Sequence, residues 1–139
     1  MRNKAFLPLM EQILMVAVFA IAAAVCLSAF AVGNRISKER SDLDTAVLLA
    51  QDTCEMLKYA KGDMEKAAEV TGGAYSENEL LIYFDENGNN TSSDSAVYLV
   101  RAHLGSVEQG VGEATVTVFT ADKELYSLSV AWQEDSYER

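Results

Sequence analysis

The chain has 139 residues, room for one domain plus a membrane element, and carries 21 acidic against 11 basic residues. From residue 33 onward the balance is 20 Asp and Glu to 9 Lys and Arg, and from residue 72 onward it is 12 to 3. A surface of that sign repels phosphate backbones and anionic headgroups, so nucleic acid and anionic lipid are disfavoured as partners of the C-terminal part. The same excess of carboxylates serves an ordinary solvated surface.

Residues 1–7 form a short basic N-terminus containing Arg2 and Lys4. Pro8 then suits a first helical turn, where its missing N–H forfeits nothing. From Ile13 to Val32 the chain reads 20 residues with no charge and only Ser28 polar. As a helix that run spans about 30 Å, the thickness of a bilayer hydrocarbon core. A domain of this size cannot bury such a helix on all sides, whereas in lipid a helix satisfies its own backbone. A membrane helix over 8–33 is therefore expected. Glu11 lies at the edge of the apolar run, where a carboxylate is costly and requires a reason.

The segment admits three readings. In a secretory signal peptide, Ala29-Phe30-Ala31 would be the small-x-small cleavage site. Against this stand Glu11 and Gln12, which fall where a basic region belongs. A plain single-pass anchor is flanked by Arg2 and Lys4 on one side and by Arg35, Lys38 and Arg40 on the other, so loop charge sets no orientation. The third reading rests on the string Lys4-Ala5-Phe6-Leu7-Pro8-Leu9-Met10-Glu11 followed by the apolar run. That string resembles the N-terminus of type IV pilins and type II secretion pseudopilins over roughly residues 4–60.

The resemblance implies a leader cut on the cytoplasmic side between Ala5 and Phe6 by a prepilin peptidase. It also implies a Glu11 that registers each subunit in a helical filament, and partners that are other pilin-like subunits held through the N-terminal helix. Two departures are visible. Ala5 stands where the family normally has Gly, and a cut before Phe6 leaves Glu11 one place later than the family's glutamate.

Beyond the membrane run, Ile36, Leu43, Ala50, Leu57 and Met64 recur seven apart, with Val47, Cys54 and Ala68 between them and Arg40 and Lys61 as exceptions. This is one apolar stripe on an amphipathic helix. Only Gly33-Asn34 interrupts, so a single helix from Pro8 to Tyr59 is expected, with Gly62 in the left-handed position that ends it. Asp63 should cap a short helix, Met64–Val70, closed by Gly72-Gly73. From Glu79 the period becomes two. Four strands follow, Leu80–Asp85, Ala96–Leu104, Ala114–Ala121 and Leu125–Gln133, joined by short connections into an antiparallel meander. Tyr126, Leu128, Val130 and Trp132 share one face, which is expected to cover the helix. Asn87–Ser95 is a polar run expected to be loose.

Candidate chemistry is sparse. Asp85, Asn87 and Asn89 alternate oxygen ligands as a calcium loop does, and some pseudopilins bind calcium in a loop of the sheet domain. However, Gly88 falls one place early for an EF-type loop, and Asn-Gly is itself a strong hairpin-turn signal. His103 has no ligand at metal-binding spacing. Cys26 and Cys54 would lie about 42 Å apart on one helix, too far for a bridge. No nucleophile elbow or phosphate-cradling pattern is present, so neither an enzyme nor a cofactor is expected.

The expectation is thus an α+β protein, its long N-terminal helix packed by its second half on a four-stranded antiparallel sheet, with residues 34–139 outside the cytoplasmic membrane. A pilin-like filament subunit is the first functional reading. A membrane-anchored or secreted binding domain that does not polymerise is the second.

Overall fold

Helical periodicity sets in at Phe6 and runs without a break to Ala60 in the computed structural model, which describes residues 4–121 and 123–134. This helix, α1, keeps helical backbone through Gly33, where one glycine costs only about 1 kcal/mol relative to alanine. Its first part, through Arg40, and the remainder of the chain from Ser41 are two separate compact units. In the first unit every described side chain is exposed.

In the second unit α1 buries Ala46, Leu49, Ala50, Thr53, Cys54, Leu57 and Ala60. The stripe is real but begins later than the seven-residue repeat suggests, since Ile36 and Leu43 stay exposed and Val47 is half-buried. The turn ending α1 differs by one residue from expectation. The N–H of Lys61 donates to the carbonyl of Lys58, and that of Gly62 to the carbonyl of Leu57. That pair of bonds makes Lys61, at φ 51°, the left-handed residue after the helix, with Gly62 following it. Helix α2, Met64–Thr71, starts as expected. The Asp63 carboxylate accepts from the backbone N–H groups of Glu65 at 3.1 Å and Lys66 at 3.2 Å, and Gly72 closes the helix in the left-handed conformation.

The sheet has five antiparallel strands in sequential order, one more than the alternation predicts: β1 Ala74–Tyr75, β2 Glu79–Phe84, β3 Tyr98–Leu104, β4 Val111–Thr120 and β5 Lys123–Gln133. Strand β1 is two residues long, too short to carry a period, and pairs Ala74 with Leu81 and Tyr75 with Leu80. The register sets Val100 opposite both Ile82 and Val118, and Val116 opposite both Ala102 and Leu128. These residues share the core face, and they meet Ala50, Cys54 and Leu57 of α1 in one apolar cluster. Leu57, Leu80, Ile82, Val100, Val116 and Val118 are its largest fully buried side chains. Burying a side chain of that size contributes about 1.5–3 kcal/mol.

Trp132 closes the cluster on the face predicted for it. It stands opposite Gly112, where a Cβ would come within 2.6 Å of the indole. A second tie joins helix to sheet at the other end, where the Tyr98 hydroxyl donates to Asp42 Oδ1 at 3.0 Å.

Candidate functional site

The apolar N-terminal segment is the most unusual chemistry in the chain. Ala5 sits in a turn just before α1, and Phe6 is its first residue, with more than half its surface exposed. Pro8 lies in the first turn, where no intrahelical hydrogen bond is lost. Along α1, the residues three and four places from Glu11 are Leu7, Pro8, Leu14 and Met15. Those are its neighbours on the helix surface, so its carboxylate is flanked by hydrocarbon alone. It makes no ion pair or hydrogen bond among the described residues.

Phe19 and Phe30 are more than three-quarters exposed, and the apolar side chains between Ile13 and Val32 present hydrocarbon on every side. An apolar surface of that extent on a soluble monomer marks a membrane or protein contact. The segment is long and apolar enough to cross a membrane. Its single polar group is satisfied locally, because Ser28 Oγ donates to the Ala24 carbonyl at 2.9 Å, as a hydrocarbon environment demands. Where polar sequence resumes, Arg35 and Glu39 form an exposed pair at 3.3 Å. Of the expected flanking charges, Arg2 lies outside the described residues.

The oxygen-rich loop after β2 is organised by its own backbone. Asp85 Oδ1 accepts from the N–H groups of Asn87 at 2.8 Å and Asn89 at 2.9 Å, and Gly88 takes the positive φ of a tight turn. The Asn89 side chain turns its NH2 toward Asp85 Oδ2, offering a donor where a cation would need oxygen. These bonds hold the Asp85 carboxyl below the usual carboxylate range, with the Asn89 backbone bond the largest contribution. No group of three or more His, Cys, Asp or Glu placed to hold a metal occurs among the described residues. The polar run beyond is held in place. The Thr91 N–H donates to the Tyr83 carbonyl, the Asn90 side-chain amide donates to the Thr71 carbonyl, and Ser93–Ser95 forms one helical turn.

His103 lies on the exposed sheet face, 3.8 Å from Glu79. Burial pushes the Cys54 thiol pKa up, which keeps it in the unreactive protonated form. A cleft of about 210 Å³ between Thr53 and Met56 of α1 and Phe84 of β2 is smaller than small-molecule sites usually are.

Two features escaped sequence reasoning. Arg101 stacks over the Phe119 ring, 5.3 Å from its centroid, on the outer sheet face. Alternation puts both residues outside but does not reveal that β3 and β4 are in a register that lets them meet. Asp42 reads as a solvated helix charge until the register of β3 brings Tyr98 to it. No family model matches the chain, and no curated protein or solved structure is significantly similar to it.

Proposed function

We propose that the chain is a structural, pilin-like subunit, stored in the cytoplasmic membrane through residues 8–33 with its sheet domain outside. From there it would assemble through the N-terminal helix into a filament or secretion pseudopilus, with other pilin-like subunits as partners and a prepilin peptidase acting between Ala5 and Phe6. The observation that carries the reading is the character of α1. One unbroken helix is hydrocarbon on all faces at its start, holds a lone carboxylate there, and ends as an amphipathic helix buried against an antiparallel meander. A plain anchor needs no carboxylate at Glu11, and a signal peptide needs no helix that continues into the domain core.

The test is the N-terminal sequence of the protein purified from membranes. A start at Phe6 or Leu7 supports leader processing and the pilin-like class. A start at Val32 would instead make the segment a removed signal peptide. An intact Met1 would leave a membrane-anchored domain that does not polymerise.

A further inference from the structure

Asn87-Gly88 is the only Asn-Gly pair in the chain, and it lies in the turn after β2 with Asn87 exposed. An asparagine before glycine is chemically labile. The following main-chain nitrogen can attack the side-chain amide, because glycine has no Cβ to hinder the approach. Gly88 is held at this position by its φ of 77° and not by packing, since a Cβ there would meet nothing within 4 Å. The Asn87 side chain makes no hydrogen bond among the described residues, so its amide carbon is open to attack.

The main chain around the pair is not free. The Gly88 N–H donates to the Asp85 carbonyl at 3.1 Å, and the Asp85 N–H donates to the Asn89 carbonyl at 2.8 Å. Asp85 Oδ1 accepts from the N–H groups of Asn87 at 2.8 Å and Asn89 at 2.9 Å, one on each side of Gly88. Attack requires the Gly88 nitrogen to lose its proton and turn onto Asn87 Cγ. Its own bond to the Asp85 carbonyl must then break, and the peptide groups on either side must rotate against the hold of the carboxylate. We propose that Asn87 is a deamidation site that Asp85 holds closed, so that the ordered turn preserves the amide and release of the turn lets it react.

In the released turn a base takes the Gly88 amide proton. A bond forms between Gly88 N and Asn87 Cγ, and the Cγ–Nδ2 bond breaks. Nδ2 leaves as ammonia with the proton, and a cyclic imide remains. Water then opens one of the two imide carbonyl–nitrogen bonds, giving aspartate or isoaspartate. Isoaspartate adds one carbon to the main chain of the turn and disrupts its closure. The neighbouring Asn90 carries the loop's tie to α2, donating its side-chain amide to the Thr71 carbonyl, so the reaction loosens that tie as well. None of this uses the N-terminal segment, and it stands or falls separately from the pilin-like reading.

The test follows the full chain in detergent micelles at fixed, mildly alkaline pH. Peptide mass, with separation of the aspartate and isoaspartate forms, reads the state of position 87. The native chain is compared with the same chain unfolded in guanidinium, and with Asp85→Ala and Asp85→Asn, each checked for cooperative melting. The native chain is expected to convert at least about tenfold more slowly than the unfolded one, the size of effect that one or two hydrogen bonds produce. Asp85→Ala should close most of that gap. Asp85→Asn, which keeps an acceptor oxygen, should stay near the native rate. Equal rates in the native and unfolded chains overturn the proposal. So does a folded Asp85→Ala chain as slow as the unaltered one, or an Asp85→Asn chain as fast as the unfolded one. Should Asp85→Ala fail to fold, the native, Asp85→Asn and unfolded rates decide.

Discussion

Gly62 and Trp132 share one site: a Cβ on Gly62 would overlap the Trp132 indole. The indole thus lies across the turn that ends α1, and Gly112 makes room for it from the neighbouring strand. The glycine after α1 is fixed by packing as well as by its φ of 77°. Gly62→Ala is expected to combine an overpacking cost of about 1–3 kcal/mol with the strain of a left-handed alanine. Thermal unfolding of the variant, followed by circular dichroism, measures the loss. A melting curve that overlays the original would mean that the indole can shift freely.

Trp132→Ala is expected to cost about 3–5 kcal/mol, the usual range for removing a buried tryptophan. The sharper test is the double variant. If the clash is what Gly62→Ala suffers, its cost should shrink once the indole is gone, whereas additive costs would place the damage in the backbone alone. Denaturant titrations of the two single variants and the double variant give the coupling directly.

These two residues also show how far the sequence could be read. Tyr126, Leu128, Val130 and Trp132 alternate with the small residues Ser127, Ser129 and Ala131, and alternation is enough to choose the core face, so that part of the fold was legible. What Trp132 would press against was not, because Gly62 lies far off in sequence and reads only as a helix stop. The same holds for Asp42, whose role depends on which strand reaches it. The N-terminal segment was legible as hydrocarbon by composition alone. Strand β1 was not, since two residues carry no period and owe their pairing to the turn in which the Ser76 N–H donates to the Glu79 carbonyl.

Tyr98 gives the fold a dependence on alkaline pH. Burial, followed by the hydrogen bond and charge of Asp42, pushes its pKa up in the folded state. A raised folded pKa means that the native state holds the proton more tightly than the unfolded chain, whose tyrosine titrates near 10. The contribution is therefore complete below about pH 10 and is lost as pH rises from there through the folded pKa. Tyr98→Phe is expected to cost about 1 kcal/mol at neutral pH, the net value of one hydrogen bond. It should also flatten the alkaline fall in stability. A steep alkaline fall that survives the substitution would assign it to other groups.

Asp85 acts in the opposite direction. Its pKa is lowered by hydrogen bonds from the loop, the Asn89 backbone first. Its contribution is present above the unfolded value, near 3.9, and is lost as pH falls through the lowered folded pKa. Asp85→Asn keeps an acceptor oxygen and removes the charge, so the loop should persist while its share of the acid transition disappears. The amide shifts of Asn87 and Asn89, followed by nuclear magnetic resonance from neutral to acid pH, report this locally. Titration of those amides in the Asp85→Asn variant with the original midpoint would show that another group controls the loop. Added calcium should leave the same amides unmoved, because Asp85 Oδ1 already accepts from two backbone N–H groups and Oδ2 faces the Asn89 side-chain amide.

Glu11 decides the functional reading. It stands in the first turns of α1 with Leu7, Pro8, Leu14 and Met15 as its helix-surface neighbours. At a membrane edge an unpaired carboxylate is expensive and must reach toward water, accept a proton or find a cation. In the proposed bundle of such helices, the positive amine of a neighbouring processed chain would supply that cation at low dielectric, where the attraction is strong. The pairing would favour one axial register between subunits. Glu11→Ala is therefore expected to reach the membrane at the original level, since removing a charge only eases insertion, and to leave the sheet domain's melting unchanged. Its incorporation into sheared or cross-linked surface filaments should fall sharply. Glu77→Ala, which removes an exposed loop carboxylate, should change none of these. Equal incorporation of Glu11→Ala and the unaltered chain, at equal membrane levels, would remove the registering role and leave α1 as an anchor whose carboxylate has no function in assembly.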